Sequence, residues 1–495
     1  MSIKIYNTLT HKKEPLNPID PGHVKLYICG ITSYDYCHIG HARSSLVFDM
    51  IVKYLRYRNY QVTFVRNFTD IDDKIINRAQ EQNTSSEELA NRFIEEFYID
   101  MDYLGLDRPD IEPKATEHIP EMIALIDELI RKNKAYAIDG DVYYAVNSHP
   151  TYGKLSGRNI EDMQAGARVD INEKKNHPMD FALWKSSKPD EPAWDSPWGP
   201  GRPGWHIECS AMSKKYLGDT FDIHGGGKDL IFPHHENEIA QSEAANEAPF
   251  VNMWVHHGFV TVRNEQTSET EKMSKSLGNF LTIRDLSEIF HPEVLKLFVF
   301  STQYRNPLEY SGQAMQDAMS GLTRLYECVH SFENLLINED ESSPALITEK
   351  EAGTLSSLEQ RFQQAMDNDF NTAQAIGQLF EATRAINKIV SKLPSRQNPT
   401  DISLLSKSVS TLTRLARIMG LLNEPPGDFL DQQKQEILKD AAIDEASIEQ
   451  MIKQRNNARK DKDWALSDQI RDELLTHNIE LKDGPKGTTW TVKRD

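Results

Sequence analysis

The chain has 495 residues, of which 39% are hydrophobic and 26% are charged, and its net charge at pH 7 is -19. This length predicts about three domains of ordinary globular composition. No apolar run approaches the ~18–20 residues that cross a membrane, and the acidic balance argues against a protein coated everywhere with nucleic acid. The first ten residues have no apolar signal core, so we expect no targeting segment. Four scattered cysteines form no disulfide framework, which favours a reducing cytoplasm.

The N-terminal region has the pattern of a parallel sheet. Val24–Cys29 predicts a short buried strand, apolar positions from Leu46 to Leu55 predict a helix, and Gln61–Phe68 predicts a second strand. Strand, loop, helix and strand over ~45 residues form a βαβ unit, half of a doubly wound sheet. The dinucleotide glycine fingerprint is missing, and the first loop instead carries two histidines around one glycine.

These residues form the sequence His38-Ile39-Gly40-His41. The histidines lie three apart where the loop meets the helix, so both can face a ligand at the helix N-terminus, which attracts phosphate. Gly40 lets a nucleotide approach the backbone. By itself this tetrapeptide is a weak signal, because most such histidines are ordinary surface or core residues.

The middle of the chain contains an insertion and then a second α/β half. The insertion has a predicted helix at Ile119–Lys132, a strand at Asp141–Val146, and a tail rich in proline, glycine and tryptophan. The second half has a predicted helix at Ile207–Tyr216, a strand at Thr220–His224, a helix opened by Pro233, and the apolar run Val251–Val262.

The last third is predicted to be helical. Amphipathic blocks between Gln313 and Leu422 favour an antiparallel helix bundle. Glu424–Gly427 begins a predicted polar linker, and the tail gives short helices at Ala446–Lys460 and Trp464–His477 before a hairpin at Ile479–Val492. The predicted fold class is therefore α/β: a Rossmann-like parallel-sheet domain split by an insertion, then an α-helical bundle and a small C-terminal α+β domain.

The strongest metal signal is the run from Pro233 to Glu238, which contains His234. On a helix opened by the proline, His234 and Glu238 lie four residues apart and share one face, so they can bind the same ion. The distant thiols of Cys29 and Cys209 would complete the set. Two thiolates, an imidazole and a carboxylate suit zinc.

Other ligands stay open. His235 is a second candidate for the imidazole because it neighbours the same carboxylate. Cys37 is a weaker alternative to Cys29, which ends a strand where catalytic residues of such sheets cluster. Cys328 lies far down the chain in a predicted helix, and we expect it to pack in a core. Trp205 either walls the site or packs in the core.

Lys272 and Lys275 lie in a polar, serine-bearing loop that ends at Gly278–Asn279. Two lysines on flexible stems can neutralise a departing pyrophosphate as charge develops on it. Alone, the loop is most simply a solvated charged segment. Because the histidine motif follows the first strand and the lysine motif follows the second α/β half, coincidence is improbable, and the two together indicate an ATP-handling enzyme.

The C-terminal tail has a local basic character. Residues 453–462 carry five basic residues and one acidic residue, although a solvated helix face explains this equally well. Trp464 and Trp490, with Arg459 and Lys460, offer the stacking surfaces and cations that bind single-stranded RNA bases. Packing of both tryptophans inside a small domain is an equally good explanation.

Taken together, the motifs resemble the class I aminoacyl-tRNA synthetases and, within them, the cysteinyl-tRNA synthetase family. The resembling segments are Tyr27–His41, Asn67–Lys74, Gly204–Met212, Phe221–Gly227, Phe232–Ala240, Lys272–Asn279 and Asp483–Trp490. The similarity covers nearly the whole chain. One departure is the polar stretch Arg263–Glu271, which is longer than the family pattern has before the lysine signature.

The resemblance implies a ligase that activates L-cysteine with ATP and transfers it to the 3′ end of tRNA(Cys). It implies one Zn²⁺ on Cys29, Cys209, His234 and Glu238, and Mg²⁺ carried with ATP. His38, Gly40 and His41 match the first ATP signature, and Lys275 matches the second with Lys272 beside it. The implied pocket residues are Thr69, Trp205, His224 and Asp229. The implied tRNA contacts are Arg459, Lys460, Trp464, Asp483 and Trp490.

The resemblance also gives the predicted segments their roles. Residues 1–110 and 204–312 are the halves of the catalytic domain, 111–203 a connective insertion, 313–423 the helix bundle, and 424–495 a linker and anticodon-binding domain. Two alternatives remain: a cysteine ligase acting on a small amino-sugar, and a catalytically inactive zinc-containing RNA-binding relative. The tail argues against the first and the ATP signatures against the second. We expect a monomer.

Overall fold

We determined the architecture from a computed structural model, which describes residues 2–159, 175–263, 270–272, 281–440, 443–477, 479–484 and 487–492. The chain forms two compact units. Unit 1 contains Met1–Met315, Ser357–Leu379 and Ile418–Gly420, and unit 2 contains Gln316–Ser356, Phe380–Arg417 and Leu421–Asp495. Among the described helices, none has the length and apolar character to cross a membrane.

Within the described residues, the strands are β1 (Lys4–Asn7), β2 (Lys12–Pro15), β3 (His23–Ile28), β4 (Gln61–Arg66), β5 (Ala135–Ile138), β6 (Asp141–Tyr144), β7 (Phe181–Ser186), β8 (Gly201–Pro203), β9 (Phe221–Gly227), β10 (Val251–His257), β11 (Val260–Arg263), β12 (Thr270–Lys272), β13 (Leu308–Tyr310), β14 (Ile479–Gly484) and β15 (Gly487–Val492). The α-helices are α1 (Ile39–Tyr57), α2 (Asp73–Gln82), α3 (Ser86–Tyr103), α4 (Ile119–Arg131), α5 (Trp205–Leu217), α6 (Glu236–Asn246), α7 (Ile283–Ser287), α8 (Pro292–Phe300), α9 (Gly312–Glu333), α10 (Glu349–Ser356), α11 (Leu358–Asp367), α12 (Thr372–Val390), α13 (Pro399–Ile418), α14 (Pro426–Asp440), α15 (Glu445–Lys460) and α16 (Trp464–Thr476).

The centre of unit 1 is a parallel sheet with strand order β10-β9-β3-β4. The first βαβ unit is confirmed: β3 and β4 pair in parallel, and α1 connects them. β9 is buried along its whole length, as expected for a strand covered on both faces. Because parallel strands end at the same edge, the residues after β3, β4, β9 and β10 meet there. The predicted α/β class is therefore confirmed.

The insertion forms an antiparallel sheet in the order β5-β6-β7-β8. The predicted strand at Asp141–Val146 ends early, at Tyr144. The Val146 N–H donates to the Asp180 carboxylate at 2.9 Å instead of to a neighbouring strand. β8 leads within two residues into α5, so the insertion returns the chain to the central sheet.

The predicted helix opened by Pro233 is regular only from Glu236. Residues 231–235 form one wider turn, in which Phe232 is extended (φ -139°, ψ 131°) and the Phe232–Pro233 peptide bond is cis. His234 already lies in this turn, and its Nε2 is 3.0 Å from Glu238 Oε1. The predicted shared face of these two side chains is thus present.

The predicted polar linker after Glu424 is wrong, because most of it forms α14 in unit 2. Phe429 of this helix stacks on Tyr326, with ring centroids 3.9 Å apart. Gln433 accepts a hydrogen bond from the Thr323 hydroxyl at 2.8 Å. The Pro-Pro-Gly sequence looked like a break, but proline is also favoured in the first turn of a helix.

The helices and the hairpin predicted for the last part of the chain are present in unit 2. α15 and α16 match the two predicted helices within one residue at each end, and β14 pairs with β15 as an antiparallel hairpin. Ile448, Leu474 and Ile479 lie in a small buried core that joins these elements.

We expect Gly30→Ala to destabilise the sheet edge. A Cβ at Gly30 would lie 1.6 Å from the Asn67 carbonyl oxygen, so the ends of β3 and β4 must separate. The expected loss is ~1–3 kcal/mol, measured by urea unfolding. Gly377→Ala is the control: its added Cβ meets no atom within 4 Å, and alanine favours the helix. Equal stability of Gly30→Ala and the unsubstituted chain would contradict this prediction.

Candidate active site

Four residues from three segments meet at the carboxyl edge of the sheet. Cys29 follows β3, Cys209 lies in α5, and His234 and Glu238 come from the turn before α6 and from α6 itself. One ligand atom from each of the four lies within 4.8 Å of all the others. The Cys29 and Cys209 sulfurs are 3.6 Å apart, and Cys29 Sγ is 3.5 Å from Glu238 Oε1. The sequence prediction that these four side chains come together is consistent with this geometry.

A second donor set overlaps the first. One ligand atom from each of four residues again lies within 4.8 Å of all the others, and these residues are Cys29, Glu238, His224 and His235. His235 Nε2 is 3.4 Å from Cys29 Sγ, so the alternative that the sequence left open remains close to the cluster. Cys37 is buried and belongs to neither set among the described residues.

The hydrogen bonds around the ligands favour the first set. His234 Nδ1 lies 2.9 Å from His206 Nδ1, which leaves its buried Nε2 facing the cluster, 3.0 Å from Glu238 Oε1. His224 Nε2 lies 2.8 Å from one oxygen of Glu238, which leaves the other oxygen facing Cys29 and His234. Partners of this kind fix the orientation of metal ligands. His224 therefore orients Glu238 within the cluster.

The charges of the cluster fit a divalent cation. Burial raises the pKa of the Cys29 thiol well above its ordinary value, and its hydrogen bond with Cys209 raises it further. Burial acts in the same direction on Cys209, but hydrogen bonds with Cys29 and His234 outweigh it and lower that pKa to about 6. The charges of His224 and His234 lower the pKa of Glu238 despite its burial. A thiolate and a carboxylate therefore converge beside the imidazole of His234, whose Nε2 lies 3.0 Å from Glu238 Oε1.

The predicted pocket residues lie around this cluster. Trp205 is 37% exposed and stacks on His234 with ring centroids 4.2 Å apart, so it forms a wall and is not a core residue. Thr69 is buried, and its hydroxyl donates to Glu208, the neighbour of Cys209, at 2.7 Å. Asp229 is exposed just beyond the end of β9.

His38 caps α1 in a reciprocal arrangement. Its Nδ1 accepts a hydrogen bond from the Gly40 N–H at 2.9 Å, and His41 Nδ1 accepts one from the His38 N–H at 3.3 Å. The two rings lie 3.9 Å apart between centroids. A Cβ at Gly40 would lie 2.6 Å from the His38 ring, so glycine is required for this cap. The predicted histidine motif thus forms the first turn of a helix at the sheet edge.

The lysine signature falls mostly outside the described residues. Lys275 is among the residues that are not described, and Lys272 is described only as the last residue of β12. On the far side of this segment, the chain returns to the histidine loop: the Ile39 N–H donates to Leu281 O at 3.2 Å, and the Ile283 N–H donates to Cys37 O at 3.0 Å. These backbone hydrogen bonds attach the end of the signature segment to the start of α1.

Sequence reasoning missed several residues that organise the site. Asn67, directly after β4, accepts a hydrogen bond from the Gly30 N–H at 3.0 Å and lies 3.7 Å from the Cys209 sulfur. His256 Nε2 lies 2.8 Å from His235 Nδ1 and so fixes that ring. These contacts join segments far apart in the chain, so no spacing pattern reveals them.

The predicted RNA-contacting side chains belong to unit 2, and two of them, Arg459 and Asp483, are hydrogen-bonded to each other. Asp483 accepts two hydrogen bonds from Arg455, at 2.9 and 3.0 Å, and one from Arg459 at 2.7 Å. Lys460, one residue on, is exposed. The sequence did not single out Arg455, which holds this group in place.

The two tail tryptophans differ. Trp464 is 59% exposed at the start of α16 and offers a ring face to solvent. Trp490 packs against the small core, its indole N–H points to Glu449 at 3.4 Å, and the Lys434 amine lies 4.5 Å from its ring centroid. Of the two predicted stacking residues, Trp464 is the accessible one.

Comparison with known proteins places this geometry in a family. Residues 15–320 match the family model "tRNA synthetases class I (C) catalytic domain", residues 361–423 match "DALR domain", and residues 445–490 match "Cysteinyl-tRNA ligase anticodon binding domain". The chain is 64% identical to the cysteine–tRNA ligase of Desulfotalea psychrophila, over 100% of both chains. This chain belongs to the cysteine–tRNA ligase family. It is also 51% identical to the Geobacter sulfurreducens member over 100% of both chains.

Solved structures confirm the fold class. The methionyl-tRNA synthetase of Mycobacterium tuberculosis, solved with methionyl-adenylate, has a TM-score of 0.59 and 15% identity, covering 83% of this chain and 93% of that one. An arginyl-tRNA synthetase from Campylobacter jejuni, described as putative, has a TM-score of 0.51 and 12% identity, covering 81% and 94%. At this identity the likeness concerns the fold alone. The cysteine–tRNA ligase family member described here therefore has the class I synthetase fold.

We expect His257, at the end of β10, to contribute to acid sensitivity. Burial lowers the pKa of His257 from 6.5 to about 4, so the unfolded chain takes up a proton more readily than the folded protein. The stabilisation is complete above pH 6.5 and is lost as the pH falls toward 4. His257→Gln should therefore flatten the decline of the melting temperature over this range. His11→Gln, an exposed histidine, is the control, and an unchanged pH profile for His257→Gln would contradict the prediction.

Proposed function

We propose that this chain activates L-cysteine with ATP and transfers the cysteinyl group to the 3′ end of tRNA(Cys). The single observation that carries the proposal is the convergence of Cys29, Cys209, His234 and Glu238 in a chain of this family. The cysteine carboxylate attacks the α-phosphorus of ATP and pyrophosphate leaves. A hydroxyl of the terminal adenosine then attacks the cysteinyl carbonyl, and AMP leaves.

The proposed selectivity for cysteine comes from zinc at this cluster. Serine and cysteine have nearly the same size, so an apolar pocket would separate them poorly. Zinc would supply a site that binds thiolate sulfur far more strongly than a hydroxyl. Trp205 shields one side of this site through its stack on His234, and His224 keeps Glu238 oriented. Thr69 and Asp229 are proposed to contact the amino acid and adenylate.

The ATP step requires positioning and charge neutralisation more than proton transfer, because the cysteine carboxylate is already ionised at neutral pH. His38 and His41 lie at the N-terminus of α1, where the helix dipole and backbone N–H groups favour phosphate. Lys272 and Lys275 are proposed to neutralise the departing pyrophosphate, and Mg²⁺ would accompany ATP. The attachment of residues 281–283 to the His38 loop supports a shared site for both signatures.

The proposed tRNA contacts lie in the C-terminal tail. Arg459, Lys460, Trp464, Asp483 and Trp490 are the proposed anticodon contacts. Asp483 is already held by two arginines, so its carboxylate is oriented before RNA binds.

The proposed domains remain 1–110 and 204–312 for catalysis, 111–203 as the insertion, 313–423 as the bundle and 424–495 for the anticodon, in a monomer. The comparisons give no support to an amino-sugar ligase or an inactive RNA-binding relative.

The test of this function is cysteine-dependent exchange of pyrophosphate into ATP. We expect robust exchange by the unsubstituted chain and a loss of at least ~100-fold in Cys209→Ser, because one of the four ligands is removed. Cys328→Ser is the matched control, since Cys328 is also buried but packs in unit 2. Zinc content is measured on the same samples. Absence of cysteine-dependent exchange in the unsubstituted chain would refute the proposed function.

We expect Trp464→Ala to separate the two steps. Loss of a base-stacking surface should lower tRNA charging by ~10-fold or more, while pyrophosphate exchange stays unchanged. Leu466→Ala is the matched control, because Leu466 lies on the same helix and is 42% exposed. Charging is measured with tRNA(Cys) at subsaturating concentration. Equal charging by Trp464→Ala and Leu466→Ala would exclude Trp464 from the RNA contact.

A further inference from the structure

Arg43 lies one turn along α1 from the His38 cap and is completely buried. Its guanidinium donates to three backbone carbonyls: Phe259 at 2.7 Å, Tyr304 at 3.0 Å and Asn306 at 2.5 Å. These carbonyls belong to two segments, one before β11 and one before β13. A planar guanidinium fixes its acceptors in several directions at once, so it ties the start of α1 to both segments.

The 303–306 segment is itself held by a buried carboxylate. Asp369 is 0% exposed and accepts hydrogen bonds from the Tyr304 hydroxyl at 2.8 Å, Arg305 Nε at 2.7 Å and Gln303 Nε2 at 3.2 Å. It also accepts from the Tyr6 N–H at 2.8 Å. Tyr304 thus bonds Asp369 through its hydroxyl and Arg43 through its carbonyl. A continuous path of hydrogen bonds links Asp369 to the first turns of α1.

The backbone at Asp369 is also unusual. Asp369 has φ 70° and the next residue, Phe370, has φ 48°, both in the left-handed region. Two successive non-glycine residues in this region are costly and persist only where surrounding contacts hold them. The buried Phe370 ring and the four hydrogen bonds to Asp369 provide those contacts.

We propose that Asp369 and Arg43 are positioning residues for cysteine activation, which hold the first turn of α1 so that His38 and His41 meet the phosphates of ATP. The inference rests on the proposed function. Neither residue needs to touch ATP, because displacement of reacting groups by ~1 Å is enough to lower a rate ~100-fold. The path joins a corner between α11 and α12, far along the sequence, to the nucleotide site.

The same corner provides a matched control. Asp367 is 7% exposed, accepts from the Tyr54 hydroxyl at 2.6 Å and pairs with Arg58. Tyr54 and Arg58 lie at the opposite end of α1, about 20 Å and about 26 Å from His41 by helix rise. Asp367→Asn therefore removes a buried charge from the same corner, where it contacts the far end of α1, without removing a bond to the His38 end of that helix.

The test compares Asp369→Asn with Asp367→Asn in cysteine-dependent pyrophosphate exchange, below the melting temperature of each. An asparagine amide would oppose the donors of Gln303 and Arg305. We expect Asp369→Asn to lower kcat by ~10–100-fold and raise KM for ATP, with KM for cysteine unchanged. Asp367→Asn should lower only the melting temperature. Equal kinetic losses in both variants, or losses that follow the folded fraction, would overturn the proposal.

Tyr304→Phe is the second variant, because it removes one hydroxyl and keeps the ring. We expect it to fold and to lose ~3–10-fold in kcat with the same split between the two KM values, since one bond of the path is lost. Unchanged kinetics in Tyr304→Phe and in folded Asp369→Asn would refute the proposal while the unsubstituted chain stays active. Absence of exchange in the unsubstituted chain would instead refute the proposed function.

Discussion

The structure depends on one constraint, which is that negatively charged side chains converge at a buried position. Cys209 and Glu238 are almost completely buried, and Cys29 lies against both. Anionic groups in such surroundings are costly unless a cation or hydrogen-bond donors compensate them. The surrounding histidines provide part of this compensation, and we propose that zinc provides the rest. The carboxyl edge of a parallel sheet is where segments distant in sequence can be brought into such a cluster.

Two kinds of site are combined in unit 1, and they differ physically. The cluster of Cys29, Cys209, His234 and Glu238 is buried, and neighbouring histidines such as His206 and His224 orient its side chains. The proposed nucleotide site is built on a capped helix end and depends on where α1 lies. We therefore propose that selection of cysteine is local, whereas activation depends on contacts that extend to Asp369. The proposed RNA contacts in unit 2 are side chains oriented by one another, with Trp464 exposed.

The sequence predicted what local periodicity encodes. The strands β3 and β4, the helix between them and the shared face of His234 and Glu238 follow from spacings of two, three and four residues. It did not predict contacts between distant segments, such as those of Asn67, Arg43 or Asp369, because several partners would satisfy each side chain. The sequence prediction was also wrong at α14, because the prolines were interpreted as a break in the structure although they begin a helix. Local spacing therefore predicts the helices and strands, whereas tertiary packing determines which distant side chains contact each other.

The most direct measurement is X-ray absorption at the zinc edge of the purified protein, before and after addition of cysteine. We expect two sulfur ligands at ~2.3 Å with one nitrogen and one oxygen at ~2.0–2.2 Å, and a third sulfur once cysteine is bound. A single sulfur before cysteine would favour the set containing His224 and His235. A sulfur number that does not rise with cysteine, or an active protein without zinc, would refute the proposed binding of the substrate thiol to zinc.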